Sequence, residues 1–562
     1  RRGTGFEVGH DSAQQWHHRR HHPVDDAHLR WGASRLERRS AQLRRGEIDR
    51  DRRRTDVDDD RVLDRSERVG CSCLVAEDDR FTRPSLGTTV VDGGLHTTRV
   101  ARVGEIHGIV VGDARCSRHG NETVVGASEY APRHGNGRAR SSDHSHLEVG
   151  GAEHVGEAVL GAPELAPGRA GDLAVVEVGR AMTIDSIAPE LIDVLYEQLH
   201  VTQLPHPERC AIFVDHVAPA SNLPTAQGQV RARRFAQAQG IHAFYDVGRG
   251  ICHQLMIEEH LVQPGTVAVG SDSHSTTYGA IAAFGTGMGT TDVALAFATG
   301  RTWLRVPETV RVDLSGNLAP QVDAKDIVLR LLSLVRADGF TYQAVEFHGA
   351  TSLSLSSRMT LCSMTTEMGA KAGIVVPDAV TRQHAPVPEW LEVQDGAVYQ
   401  DVITLDLSDI EPLVACPPRV DSVVPARQLA GVHVDQVYLG TCTNGRLQDL
   451  HAAAAILDGR HIAAGVRMIV VPASHAVLQA ATEDGTLARL LSAGATIGPP
   501  GCGACIGRHM GVLGSGEVCF STGNRNFAGR MGAPDALIYL GSAQVAAATA
   551  LRGVITDPRA ID

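Results

Sequence analysis

The stretch VYLGTCTNGRLQDLHAAAAIL (437–457) decides the fold class, because a short apolar run leads into a polar loop and then into a run of helix-forming residues. This order predicts a strand, a loop and a helix. The segments RMIVVPAS (467–474) and HAVLQAATEDG (475–485) repeat it directly afterwards. Alternating strands and helices indicate α/β layers with mostly parallel sheets, in which ligands bind at loops beyond the carboxyl ends of the strands.

The same alternation of predicted strands and helices extends towards the amino terminus as far as about residue 160. Strands are predicted in GDLAVVEVGRAMTIDS (171–186), AIFVDHV (211–217) and GTVAVGSDSH (265–274), and a helix in TDVALAFATG (291–300). GTGMGTTD (285–292) does not fit the dinucleotide pattern G-x-G-x-x-G and predicts a tight turn that opens this helix. Pro-containing stretches near 305–307 and 417–425 predict three α/β domains, at 156–304, 305–425 and 426–562.

Composition narrows the class of protein. The chain has 562 residues, of which 43% are hydrophobic, so most of it can bury a core. No run of about 18 apolar residues and no signal-peptide core is visible, so we expect a cytoplasmic protein without a membrane span. Eleven cysteines scattered over so long a chain favour a metal or cluster site over a disulfide framework. Lys325 and Lys371 are the only lysines among 53 basic residues, which is typical of a GC-rich gene.

Residues 1–155 differ from the rest. Up to residue 150 they hold 26 Arg, no Lys and 24 acidic residues, and they show no sustained apolar period. A nucleic-acid-binding arm is one interpretation, but the interleaved acids leave a net charge of only about +2. We favour a disordered or mistranslated extension, and therefore exclude Cys71, Cys73 and Cys116 as ligands. The remaining core carries 27 basic and 41 acidic residues, which disfavours nucleic-acid binding.

Three cysteines stand in loops next to predicted strands. Cys502 and Cys505 form a C-x-x-C within GPPGCGACIG (498–507), and Cys442 lies 60 residues earlier. A single C-x-x-C also fits a zinc half-site, a redox pair or two core residues, although a four-cysteine zinc site would need a second pair. Three thiolates would leave one iron of a [4Fe–4S] cluster open as a Lewis acid. The other cysteines, which lie in apolar or mixed stretches, are expected to be small buried residues: Cys210, Cys252, Cys362, Cys416 and Cys519.

From about residue 160 onward the chain resembles the aconitase family. The resemblance rests on blocks in the family's order: FVDHVAPASN (213–222), GRGICHQ (248–254), VGSDSHSTTYGAIAAFGTGMGTTDVA (269–294), RMTLCSMTTEMGAKAGIV (358–375), LGTCTN (439–444), GPPGCGACIG (498–507) and GNRNFAGRMG (523–532). The amino-acid sequences of these blocks and the length of the chain are most similar to those of large subunits of the 3-isopropylmalate dehydratase and homoaconitase branches. The implied fold is three domains of doubly wound sheets around an iron–sulfur cluster.

The resemblance also implies a set of site residues. The cluster ligands are Cys442, Cys502 and Cys505. The catalytic residues are Asp215, His216, His253, Asp272, His274 and Glu367. The substrate-binding residues are Asp185, Ser273, Arg525 and Arg530, and Asn444 is a weaker candidate beside the cluster. Residue chemistry agrees, since a carboxylate can hold an imidazole in one tautomer and Arg binds carboxylates through a planar fork. A lone Asp–His dipeptide or a lone Arg would mean little without the surrounding blocks.

Two departures from the family qualify the prediction. No candidate follows for the fourth, swivelling domain that supplies a serine base in full-length aconitases, so we expect that base on a separate small subunit. Ile184 occupies a position that is usually His or Gln in the family. The substrate then presents an apolar or smaller group there, or activity on isopropylmalate is weak. Open alternatives are therefore a homoaconitase-type or specialised hydroxy-carboxylate dehydratase, and a catalytically silent paralogue. An RNA-binding apo form is disfavoured by the charge of the core.

Overall fold

A computed structural model describes residues 89–91, 94–96, 169–393 and 396–561. In the amino-terminal part it describes only the antiparallel pair β1 (Thr89–Val91) and β2 (Gly94–His96). The prediction that residues 1–155 are a disordered or mistranslated extension otherwise falls outside the described residues and stays a prediction.

The first sheet contains the predicted strands of the amino-terminal α/β region. Its members are β4 (Arg180–Ile184), β5 (Cys210–Phe213), β6 (Ala243–Tyr245), β7 (Val267–Gly270) and β8 (Phe284–Gly287). All are parallel, in the order β6-β5-β4-β7-β8. Beside it, β3 (Leu173–Glu177) and β9 (Arg301–Arg305) form an antiparallel ribbon. The single strand expected in 171–186 is therefore two strands that belong to different sheets.

The second sheet is smaller and also parallel. It consists of β10 (Thr309–Ser315), β11 (Ala344–His348), β12 (Ala372–Val375) and β13 (Asp401–Asp406). Their order is β12-β11-β10-β13. The strand that comes first in the chain thus lies inside the sheet, as it does in the first sheet.

The third sheet has a parallel core of five strands and two antiparallel additions. Its strands are β14 (Leu413–Ala415), β15 (Val423–Pro425), β16 (Gln436–Leu439), β17 (Arg467–Val470), β18 (Thr496–Ile497), β19 (Val518–Ser521) and β20 (Leu537–Leu540). The parallel core has the order β18-β17-β16-β19-β20. The additions β14 and β15 precede residue 426, where the sequence predicts the third domain to begin.

Twelve α-helices are described between residues 169 and 561. They are α1 (Ala188–Asp193), α2 (Leu223–Gln239), α3 (Cys252–Glu258), α4 (Thr290–Thr299), α5 (Ala324–Val335), α6 (Leu355–Met364), α7 (Ala379–His384), α8 (Thr441–Asn444), α9 (Leu447–Leu457), α10 (His475–Glu483), α11 (Thr486–Ser492) and α12 (Ala543–Arg552). Within this part of the chain, none combines the length and apolar character that a membrane-spanning helix needs.

Local sequence explains these elements. β5, β7 and β16 are buried at all four positions, as expected for parallel strands that are covered on both faces. Several helices begin at side chains that accept a hydrogen bond from the first turn, among them Asn222 before α2 and Ser542 before α12. The α/β prediction with doubly wound parallel sheets is confirmed.

Residues 137–562 form one compact unit, so the division into three domains stays a prediction. The three sheets nevertheless follow one another along the chain. In the first sheet and in the parallel core of the third sheet, the chain starts in the middle, builds outward to one edge, and then returns to build towards the other edge. This reversal leaves a crevice at the carboxyl ends of two central strands, which is where open α/β sheets bind ligands.

Candidate active site

The crevices of the first and third sheets supply the predicted site residues. In the first sheet, Asp185 follows β4 and Asp272 follows β7, and in the third sheet Cys442 follows β16 and Arg525 follows β19. The two groups meet, because the Cys502 backbone N–H donates to the carbonyl of Asp215 at 2.8 Å. One site is therefore built by two crevices.

Asp215 and His216 form a buried ion pair just beyond β5. His216 Nδ1 lies 2.8 Å from Asp215 Oδ1, and the other Asp215 oxygen accepts the backbone N–H of Cys252 at 2.8 Å. Burial by itself would lower the pKa of His216, but the electrostatic influence of Cys502 and of the Asp215 carboxylate outweighs burial and holds that pKa well above its usual range. The pair therefore favours a protonated imidazole with a fixed orientation.

Asp272 lies at the centre of three imidazoles. Its carboxylate oxygens are 2.8 Å from His253 Nε2, 3.2 Å from His216 Nε2 and 3.3 Å from His274 Nδ1. Burial would raise the pKa of Asp272, but these imidazoles, with His253 contributing most, hold it well below its usual range. Tyr278 fixes the far side of His253 through a contact of 3.2 Å with Nδ1. The arrangement can pass or hold a proton at several nitrogen atoms.

Glu367 joins the second sheet region to this network. Its Oε1 lies 2.8 Å from His274 Nε2, and both of its oxygens accept from Arg525 Nε at 3.1 Å. Arg525 Nη2 also donates to Ser273 Oγ at 2.8 Å. Burial would raise the pKa of Glu367, but the hydrogen bond from His274 and the charge of Arg525 lower it. Glu367 is thus held as a carboxylate beside the pocket.

The three predicted cluster cysteines are free thiols surrounded by hydrogen-bond donors. Cys442 Sγ lies 3.6 Å from Asn524 Nδ2 and 3.7 Å from Ser363 Oγ. Cys505 Sγ lies 3.6 Å from Arg530 Nη2, and Cys502 Sγ lies 3.8 Å from His216 Nδ1. Donors directed at sulfur are the contacts that tune iron–sulfur centres in proteins.

The sulfur spacing disfavours a single zinc ion shared by the three cysteines. A zinc ion bound at about 2.3 Å to each thiolate would draw three sulfurs within about 4 Å of one another. Among the described residues no three cysteine sulfurs lie within 4.8 Å of one another. Burial also raises the pKa of the Cys442 thiol to about 11, so a bare thiolate there is unfavourable without a bound cation. Nearby, Asn444 Oδ1 and Arg530 Nε are buried polar atoms without a protein partner.

These residues surround a pocket of about 630 Å³. Six predicted residues line it: His216, Asp272, Ser273, His274, Arg525 and Arg530. Ile184, Ile187 and Met288 supply an apolar part of the wall. Ile184 is 4% exposed and belongs to the core, yet it lines the pocket. One side of the pocket therefore suits carboxylates and another suits an apolar group.

Asp185 is placed beside the pocket rather than in its wall. Its two oxygens accept the backbone N–H groups of His216 at 3.0 Å and Val217 at 3.1 Å, and one also accepts from Gln229 Nε2 at 3.3 Å. These contacts hold the loop that carries His216. A direct substrate contact for Asp185, which the sequence predicts, stays a prediction, since its oxygens are already occupied.

Sequence reasoning also missed several residues at the site. Arg508 and Lys371 line the pocket, and Asn524 contacts Cys442. Asn524 and Lys371 lie inside blocks that carry the family resemblance, and Arg508 follows the C-x-x-C by three residues. The GTGMGTTD segment does more than open α4. Its first three residues belong to β8, and Met288 lines the pocket. Of the five cysteines expected to be buried, four are, whereas Cys416 is only partly buried.

Comparison with known proteins agrees with this fold and site. The profile of the Aconitase family (aconitate hydratase) matches residues 197–431 and 425–553. The chain therefore belongs to the aconitase family and is a hydro-lyase of that family. Membership implies an iron–sulfur cluster, in agreement with the sulfur chemistry of the site.

Several of its relatives within the family are described as large subunits. The chain is 57% identical over 391 residues to the 3-isopropylmalate dehydratase large subunit of Herpetosiphon aurantiacus, covering 70% of this chain and 93% of that protein. It is 56% identical over 399 residues to the homoaconitase large subunit of Thermus thermophilus, covering 70% and 95%. It is 52% identical over 406 residues to the 3-isopropylmalate dehydratase large subunit 1 of Deinococcus radiodurans, covering 72% and 93%.

Proposed function

We propose that this chain is the large subunit of a [4Fe–4S] hydro-lyase that isomerises a hydroxy-di- or tricarboxylate by dehydration and rehydration, with 3-isopropylmalate as the first candidate substrate. The observation that carries the proposal is that each of the three cysteines contacts a residue in or beside the wall of one pocket. Cys502 contacts His216, Cys505 contacts Arg530, and Cys442 contacts Asn524, the neighbour of Arg525. Cys442, Cys502 and Cys505 would hold the cluster. A cluster with one iron free of protein ligands supplies a Lewis acid for the substrate hydroxyl.

The chain's own residues would bind the substrate and move its protons. Arg530 and Arg525 would bind carboxylates through their planar forks, with Ser273 and Glu367 fixing the orientation of Arg525. His216 would donate a proton from Nε2 to the departing hydroxyl, because Asp215 holds Nδ1. His253, Asp272 and His274 would then accept and orient the released water.

A second candidate substrate is supported by Ile184. This residue lines the pocket where related enzymes of the family place a hydrogen-bonding side chain, and Ile187 and Met288 extend the apolar surface. The substrate would then differ from 3-isopropylmalate in the group that faces this wall. The homoaconitase large subunit at 56% identity makes homoaconitate the comparison substrate.

The relatives' description as large subunits supports a separate small subunit, which would supply the serine base. The chain covers 93–95% of the length of the first two of these relatives, so the same division of labour is expected here. Anaerobically purified large subunit should show no turnover of 3-isopropylmalate by itself. Adding a cognate small subunit of about 20 kDa, one ordinary domain, should produce it. Full hydratase activity from the large subunit alone would contradict the requirement for a small subunit. Absence of activity on both substrates in the presence of the small subunit would contradict the proposed function.

A further inference from the structure

The two lysines of this chain both lie at the candidate site. Arginine fills 51 of the 53 basic positions, yet Lys371 lines the pocket, and Lys325 is completely buried and contacts the chain just before Arg525. Everywhere else in the chain, arginine is the basic residue. The presence of lysine rather than arginine at position 325 therefore calls for an explanation based on the ammonium group.

Lys325 is directed at the backbone that leads into the substrate-binding loop. It stands in the first turn of α5, whose N-cap Asp323 accepts the Lys325 backbone N–H at 2.7 Å. Its Nζ donates to the carbonyl of Thr522 at 3.1 Å and to the carbonyl of Gly523. These carbonyls lie directly after β19, where the loop 522–526 begins. One side chain thus connects α5 to a loop almost 200 residues away.

The loop 522–526 carries two groups whose positions matter for the site. Asn524 Nδ2 contacts Cys442 Sγ at 3.6 Å, and Arg525 binds Glu367 and Ser273. The same Thr522 carbonyl also accepts from Thr443 Oγ1 at 3.0 Å, and Thr443 is the neighbour of Cys442. The Lys325 ammonium therefore lies where the cysteine loop and the arginine loop touch.

Size and charge explain why lysine is suited to this place. A guanidinium carries five N–H donors in a rigid plane, and those that found no acceptor would be buried without a partner. An ammonium is compact and can turn its donors towards two neighbouring carbonyls. Burial lowers the pKa of Lys325 to about 8, with Asp323 opposing the change, so the amine is charged at neutral pH.

We propose that Lys325 is a positioning residue, which fixes the loop 522–526 and thereby the distances from Asn524 to Cys442 and from Arg525 to the substrate. The proposal rests on the proposed function for its effect on turnover. Its effect on the loop is independent of activity and can be measured on the large subunit alone.

The test compares K325M, K325R and the control R382M. Arg382 is an exposed cation on α7 that pairs with the exposed Glu392, so R382M removes a positive charge at the surface. Hydrogen exchange of peptides covering 518–532 is measured on each single chain. Steady-state kinetics and iron content are measured on the complex with the small subunit.

In K325M and K325R we expect amide exchange in 518–532 to accelerate at least tenfold and kcat/KM to fall ten- to a hundredfold. R382M should match the wild type in both measurements. Should K325M fail to fold, K325Q, which keeps an N–H donor without the charge, provides the same comparison. Exchange and kcat/KM within twofold of the wild type would overturn the proposal. An inactive wild-type complex would instead contradict the proposed function, while the exchange data would still decide whether Lys325 holds the loop.

Discussion

Single residues at this site act through contacts that span the chain. His216 is set by Asp215 beside it in sequence, but also by Asp272 and by Cys502, which lies 286 residues later. In water, each of these side chains would have an unperturbed pKa. Burial beside one another shifts the pKa values of the carboxylates, the imidazole and the thiol. Substitutions at this scale should therefore change chemistry and cluster content without unfolding the chain.

Cys442→Ala tests the cluster assignment most directly. Loss of one of three thiolate ligands should lower iron and sulfide content to a small fraction of the wild-type value and abolish the visible absorbance of the cluster. Cys416→Ala is the matched control, because Cys416 is a partly buried free thiol outside the proposed ligand set. Both variants are purified anaerobically and analysed for iron. A full cluster in Cys442→Ala would refute the assignment of this ligand.

Ile184→His tests the apolar part of the pocket wall. A hydrogen bond to a charged ligand contributes about 1.5–3 kcal/mol, so restoring a donor at this position should raise kcat/KM on 3-isopropylmalate about ten- to a hundredfold. Ile187→Val, a neighbouring change that stays apolar, should have little effect. Both are assayed with the small subunit on 3-isopropylmalate and on homoaconitate. If the wild type is already fully active on 3-isopropylmalate and Ile184→His lowers that activity, Ile184 has no such role.

At the scale of elements, the sequence predicts strands that a continuous local pattern defines. It does not predict which sheet a strand joins or which distant segments contact one another. β5, β7 and β16 were predictable because buried parallel strands appear as continuous apolar runs bounded by loops. The division of 171–186 into β3 and β4 was missed, because only Glu177, Gly179 and Arg180 interrupt the apolar residues there, and nothing local indicates that the two strands belong to different sheets. Lys325 and Arg508 likewise contact segments, or line a pocket formed by segments, that are distant in sequence. No local sequence pattern predicts such contacts.

Gly279→Ala tests the packing of an element that carries site residues. Gly279 lies in the 3-10 segment Ser273–Ile281, which begins with Ser273 and His274, and an added Cβ would overlap the carbonyl oxygen of Gly373 on β12. Separating the two should cost about 1–3 kcal/mol of unfolding free energy and displace His274 from Glu367, so activity should fall as well. Gly514→Ala, where the nearest atom lies 3.6 Å away, is the control. Equal stability of the two variants in urea unfolding would contradict this packing argument.

At the scale of the whole molecule, the site exists because two sheets reverse their strand order and place both crevices against one pocket. The first sheet supplies acids, bases and imidazoles, and the third supplies thiols and arginines. Neither sheet alone could bind a cluster, hold carboxylates and move protons. Under the proposed function, the chemistry would therefore depend on both sheets, which lie between residues 169 and 561.

The amino-terminal part should be dispensable for this joined structure. The relatives align with about 70% of this chain while using 93–95% of their own length, so roughly 30% of this chain has no counterpart in them. Residues 1–150 also lack the periodic apolar positions that would offset the entropy of ordering them. Limited proteolysis should accordingly leave a stable fragment that begins between about 150 and 170. A chain starting at residue 160 should match the full chain in melting temperature, iron content and turnover with the small subunit. A protease-resistant fragment from within residues 1–150, or loss of folding on truncation, would show instead that this part is integral to the protein.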